Sequence, residues 1–140
     1  MRNTLKLSEL TIGDSILGRD YACDNVQLML YNASLWNGHR IHYDHPYTTA
    51  VESYSGLVVA GPLIGDWLTQ CLMEWLGEDG ELLRFSYSNR IASYVGETLT
   101  SSGKIISIEQ DTRNLELELL VCNEDGEVVA PGSACVRLMG

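Results

Sequence analysis

The stretch from Leu57 to Gly77, LVVAGPLIGDWLTQCLMEWLG, constrains this chain more than any other. Pro62 stands where a helix tolerates it, in the first turn, and Gly77 with the following Glu-Asp-Gly ends the run. Between them Leu63, Ile64, Trp67, Leu68, Cys71, Leu72 and Trp75 cover one broad face, which Met73 and Leu76 widen. Only Asp66, Gln70 and Glu74 make a polar stripe, which reads as a solvated or interface-facing side. A helix apolar around most of its circumference has to be enclosed on several sides. The rest of the chain must supply the enclosure.

From residue 81 the period changes to two. Leu83, Phe85, Tyr87, Asn89 and Ile91 alternate with Arg84, Ser86, Ser88 and Arg90, and Leu115, Leu117, Leu119 and Val121 alternate with Glu116 and Glu118. Turn residues at 101–103, 112–114 and 123–126 divide the strands of an antiparallel meander. Its last strand runs from Glu127 to Leu138, with a bulge or edge at Pro131-Gly132. Upstream, Asp24 caps a helix carrying Val26, Met29, Leu30, Ala33 and Trp36 at helical spacing, which stops near Asn37-Gly38. A short helix is expected from Pro46 to Ser53. The plan is α+β, a long central helix wrapped by a curved antiparallel sheet, in one domain over residues 1–140.

Charge removes several functions. Nine basic against nineteen acidic side chains leave a net charge of -10, which repels nucleic acid and anionic membranes. No apolar run reaches the 18 residues of a membrane span, and the first twenty residues lack a signal peptide's apolar segment, so a cytoplasmic location is expected. Cys23, Cys71, Cys122 and Cys135 form no C-x-x-C pair and read as reduced packing residues.

The segment from Trp36 to Asp44, WNGHRIHYD, is the chemically dense part, and all three histidines of the chain lie between 39 and 45. Such groups on a positioned loop suit proton transfer. Downstream, Ala60-Gly61-Pro62 opens the apolar helix, where unpaired N–H groups and the helix dipole can stabilise a developing negative charge. Together these would serve addition or elimination of water beside a thioester carbonyl. Blander roles stand beside these: Asn37 as a helix C-terminal cap, Gly61 as a close-packed helix start, Thr69 as a satisfied core hydroxyl, and Trp67 and Trp75 as core. His39, His42, Asp44 and His45 match no zinc spacing, so no metal is expected.

The runs NGHRIHYD and GLVVAGPL, with Tyr47 between them and a long apolar helix after them, resemble the MaoC-like hydratase/dehydratases of the hot-dog superfamily, in the branch that carries HRIHYD. The likeness extends from TIGD at 11–14 to Leu138. It implies a hot-dog fold, a side-by-side homodimer, and hydration or dehydration of 2-enoyl and 3-hydroxyacyl thioesters of coenzyme A or a carrier protein, without a cofactor. It puts His42 on the catalytic histidine, Gly61 on the glycine whose N–H polarises the carbonyl, and Thr69 on a small hydroxyl position. Asn37 falls where many members have an aspartate. An amide can orient water but cannot take its proton, so His42 would act alone or with Asp44 or His39. Ala60 stands where a histidine is often found.

Two rivals remain at this stage. Asn37 favours a non-catalytic subunit that binds acyl thioesters or completes a heteromer with an active partner. Thioester hydrolysis on the same fold would use Asp66 or Glu74 to activate water, against the HRIHYD block. Arg40, Arg84, Arg90 and Lys104 are the available cations for the phosphates of coenzyme A, and nothing in the sequence selects among them.

Overall fold

The computed structural model describes residues 4–140. Its elements, in chain order, are β1 (Ser15–Tyr21), α1 (Asn25–Ser34), α2 (His45–Ala50), α3 (Gly61–Leu76), β2 (Gly80–Tyr87), β3 (Leu99–Glu109), β4 (Asn114–Cys122) and β5 (Val128–Leu138). Single 3-10 turns cover Leu7–Glu9 and Arg40–His42. The five strands form one antiparallel sheet in the order β1-β3-β4-β5-β2, so β1 and β2 are its edges.

The apolar run is α3, and the sheet wraps it. Leu63, Ile64, Trp67, Leu68, Cys71, Leu72 and Leu76 are buried, while Asp66, Gln70 and Glu74 stay exposed. Facing them, Leu115, Leu117, Leu119 and Val121 of β4 are inaccessible to solvent. Each fully buried leucine contributes about 2 kcal/mol to this core. Trp67 stacks on Tyr21 of β1 with ring centroids 5.0 Å apart, and the Tyr21 hydroxyl donates to the Trp67 carbonyl at 3.0 Å. Burial pushes that phenol up to about 12. Gly77, at φ 54, closes α3 in the left-handed region, which a Cβ would disfavour. All four cysteines are free. Among the described residues no helix is long and apolar enough to cross a membrane.

Five local expectations need correction. Asp24 does cap α1, accepting from the Gln27 N–H, but the helix rests on the core through Leu28 and Asn32. Val26, Met29, Leu30 and Trp36, the apolar residues at helical spacing, are exposed, because so short a helix touches the core along one narrow line. The short helix ends at Ala50 rather than Ser53. Residues 101–103 are not a turn: β3 runs through them, with Ser101 buried opposite Val121. In β2 the register shifts between Leu82 and Arg84, so Leu82, Phe85 and Tyr87 turn inward and Leu83 faces out. The strand also stops at Tyr87, and residues 89–93 form a wall instead of its continuation. In β5 the bulge lies against Val121/Cys122, not at Pro131, which pairs in register with Leu120, whereas the edge expected at Pro131-Gly132 is present on the β2 side. Pro131 fits because β2 ends opposite Gly132; its carbonyl takes the Ser88 N–H, and its missing N–H faces the same side, past the strand end.

Candidate active site

The HRIHYDHPY segment folds into a framed turn. Arg40 donates from Nε and Nη2 to Asp44 Oδ2 at 3.0 and 2.7 Å, and its guanidinium lies 3.9 Å from the Tyr47 ring centre. The other Asp44 oxygen caps α2 by accepting from the Tyr47 N–H at 3.1 Å. With both oxygens committed, and Arg40 first among the causes, the Asp44 carboxyl is held below its usual range. Thr48 Oγ1 closes the frame by donating to the Asp44 carbonyl at 2.7 Å. Arg40, Asp44 and Tyr47 are therefore scaffold, and the residue they present is His42.

His42 is 7% exposed at the end of the Arg40–His42 turn. Its Nδ1 lies 2.6 Å from the Val58 carbonyl oxygen. A carbonyl only accepts, so Nδ1 carries the proton and the neutral ring keeps its lone pair on Nε2. Burial lowers the His42 pKa below the usual 6.5; the Val58 bond opposes this, and the neighbouring His39 adds to it. The ring is thus a neutral base with an oriented lone pair. Val58 holds the turn from both sides, since its N–H also donates to the Ile41 carbonyl at 3.0 Å.

Three residues beyond Val58, α3 begins. Ala60 occupies the cap position without a side-chain bond, and the Leu63 and Ile64 N–H groups return to its carbonyl. Pro62 has no N–H, so Gly61 offers the first donor at this helix end, where the dipole favours negative charge. Gly61 is fitted closely: a Cβ there would lie 3.0 Å from Asn89 Cγ and overlap Nδ2. His42 and Gly61 line one cleft of about 280 Å³. Its walls are mostly aliphatic, from Ile41, Val58, Val59, Ile64 and Ile91.

The remaining residues singled out from sequence lie elsewhere. Asn37 borders a separate hollow with Met29, Asn32 and Tyr43, and its Oδ1 accepts from the His39 N–H at 3.2 Å. Trp36, at φ 55, makes the left-handed turn that ends α1. Thr69 Oγ1 donates to the Gly65 carbonyl at 2.9 Å and is outside the cleft. His39 is exposed, with its ring edge-on to His42 at 5.8 Å. Among the described residues no group of acids, histidines and cysteines is placed to hold a metal ion.

Sequence reasoning did not single out the 89–93 wall. Ser93 is 1% exposed and its Oγ has no hydrogen-bond partner among the described residues. Of the four candidate cations, Arg40, Arg84 and Lys104 are paired with Asp44, Glu116 and Glu118. Arg90 lines the cleft and has no ion pair among the described residues. Its sequence signal was the lone basic residue at the end of a strand-like run, which periodicity alone assigned to an outer face.

A family model described as hydroxyacyl-thioester dehydratase type 2 matches residues 10–95, which include the turn, the start of α3 and the wall. A mesaconyl-C(4)-CoA hydratase of Chloroflexus aurantiacus is 54% identical over 37 residues, 26% of this chain and 13% of that protein. The mitochondrial hydroxyacyl-thioester dehydratase type 2 of Saccharomyces cerevisiae is 28% identical over 82 residues, 59% of this chain and 29% of that protein. The matches thus span less than a third of either curated relative. Among solved structures, the (R)-hydratase from A. caviae involved in PHA biosynthesis superposes with a TM-score of 0.84 at 18% identity, covering 93% of this chain and 98% of that one. At that identity the likeness establishes the fold, which is the hot-dog fold.

Proposed function

Because the chain belongs to the hydroxyacyl-thioester dehydratase type 2 family, we propose that it adds water to 2-enoyl thioesters and removes it from 3-hydroxyacyl thioesters. The observation that carries this reading is the shared cleft, with a neutral His42 held on the Val58 carbonyl and the Gly61 N–H at the start of α3. In hydration, His42 Nε2 takes a proton from water as the water oxygen bonds to C3. The electron pair of the double bond moves onto the thioester carbonyl, and the Gly61 N–H and the α3 dipole stabilise the enolate oxygen. The enolate collapses as C2 takes the proton from His42, so one water is added and the base returns to its starting state. Dehydration is the reverse. No metal or redox group enters these steps.

Asn37 and Thr69 support the site rather than touch the reacting atoms in this scheme, Asn37 by fixing the His39 backbone and Thr69 by tying its hydroxyl to α3. The carrier is coenzyme A or a carrier protein. The chain works as a homodimer paired along β2, an edge strand whose outer hydrogen-bonding groups would otherwise stay open. A related subunit is the alternative partner, and a non-catalytic role is favoured only by the amide at position 37.

A panel of enoyl-CoA esters, followed by loss of the conjugated absorbance, tests the reading. Wild-type turnover that drops at least about a hundredfold in His42→Ala, with fold and dimer retained, supports it. Absence of turnover on every ester, or turnover indifferent to His42→Ala, overturns it.

A further inference from the structure

Of the residues that line the cleft, one besides the titratable His42 carries a charge: Arg90, a basic residue at its exposed rim. Although the chain carries nineteen acidic residues, none lines this cleft. Lys6, Arg19, Arg40, Arg84, Lys104 and Arg137 are each paired with a carboxylate, and Arg113 donates to the Met139 carbonyl. Arg90 alone among the described cations at a cavity keeps its terminal nitrogens uncommitted. Its Nε donates to Ser88 Oγ at 3.0 Å and its backbone N–H to the Val129 carbonyl at 2.8 Å, which fix the base of the side chain. Three residues on, in the same wall, the buried Ser93 hydroxyl has no partner among the described residues. A cation and a hydroxyl left without acceptors are donors for an oxyanion.

Two oxyanions could belong to an acyl thioester, a phosphate of the carrier arm or a carboxylate on the acyl chain. The first phosphate of a pantetheine arm is more than a dozen covalent bonds from the thioester sulfur. A cleft of about 280 Å³ that already contains His42 and Gly61 holds the reacting carbons and their near neighbours. Building on the hydratase reading above, we propose that Arg90, with Ser93 in the same wall, reads a carboxylate on the acyl chain, and that the substrate is a carboxylated 2-enoyl or 3-hydroxyacyl thioester.

The test compares the CoA monothioester of trans-butenedioic acid with crotonyl-CoA, in which a methyl replaces the carboxylate, for wild type, Arg90→Gln and Arg90→Lys. Wild type should favour the carboxylated ester in kcat/KM by at least about tenfold, the scale of a charge-assisted contact. Arg90→Gln should erase that preference and Arg90→Lys should keep part of it. A wild type that favours crotonyl-CoA, or an Arg90→Gln that lowers both esters by one factor, overturns the carboxylate and leaves the hydratase reading standing. Arg90→Gln that weakens competitive inhibition by free CoA assigns Arg90 to the carrier's phosphates and also overturns it. Turnover of neither ester overturns this inference, while the wider panel of enoyl-CoA esters decides the hydratase reading separately.

Discussion

Gly61→Ala separates shape from chemistry at the start of α3. The added methyl would overlap Asn89 Nδ2 and lie 3.0 Å from Cγ. What it meets is the end of a flexible, exposed side chain that makes no hydrogen bond among the described residues, so Asn89 can rotate at a cost of about 0.5–1.5 kcal/mol. Alanine in place of glycine returns up to about 1 kcal/mol of helix propensity, less at a first helical position. The two nearly cancel, and thermal unfolding should shift by no more than about 5 °C. Turnover responds differently, because the methyl and the displaced carboxamide crowd the place where, in the proposed scheme, the thioester carbonyl meets the Gly61 N–H. A displacement on the order of 1 Å there should lower kcat/KM about a hundredfold. Calorimetry and the enoyl absorbance assay read the two effects on one preparation. Adding Asn89→Ala to Gly61→Ala should recover part of the activity by vacating the cleft. Wild-type kcat/KM in Gly61→Ala would refute the carbonyl contact, and a fall of more than about 10 °C would refute the rotation of Asn89.

Other expectations follow from the same contacts. Burial lowers the His42 pKa, so the neutral base persists below pH 6.5 and the acid limb of kcat/KM should fall below the ordinary imidazole value. The unfolded chain takes up this proton first, so the His42 contribution to stability is complete above pH 6.5 and declines as pH falls towards its folded pKa. Urea unfolding of wild type against His42→Gln across pH 5–8 checks that sign, and equal slopes would contradict it. Asn37→Ala should lower turnover by no more than about tenfold, since it removes one backbone tie outside the cleft, and Asn37→Asp should retain activity by keeping the acceptor. A loss as large as that of His42→Ala would place Asn37 among the reacting groups. Gly65→Ala would put a Cβ 2.5 Å from Cε1 and Oη of Tyr87, a ring too stiff to yield as Asn89 does, and should cost about 1–3 kcal/mol in chemical denaturation, relieved by Tyr87→Ala.

The wrapped helix was legible because α3 is apolar on nearly every side, and only enclosure satisfies such a surface. β4 was equally plain, its four inward residues alternating without a break. Periodicity failed where one residue changes the face: the bulge at Leu82/Arg84 turns Leu83 outward, and nothing in the local pattern marks it. It failed again at Ser101, a small polar residue that reads as a turn and lies buried in β3. For α1 the apolar spacing was real but did not reveal which side meets the core. At the site, the HRIHYD run pointed to His42, while the bond to Val58 joins residues sixteen apart in sequence and had no local trace. The wall at 89–93 stayed hidden because its residues continue a strand-like alternation past the point where the strand ends.

The short segment from Val58 to Gly61 carries more duties than its length suggests. The Val58 carbonyl holds the His42 ring, the Val59 N–H donates to the Ser93 carbonyl at 2.8 Å, Val58 forms a bridge with Tyr94, and Gly61 opens α3. The base, the wall and the start of the helix are therefore spaced by consecutive peptide units, with no slack between them. Descendants of this chain can lengthen the exposed stretch around Glu52 and Ser53 without disturbing that spacing. An insertion of one residue between Val58 and Gly61 would put all three groups out of step at once, so drift in length is confined to one side of the site.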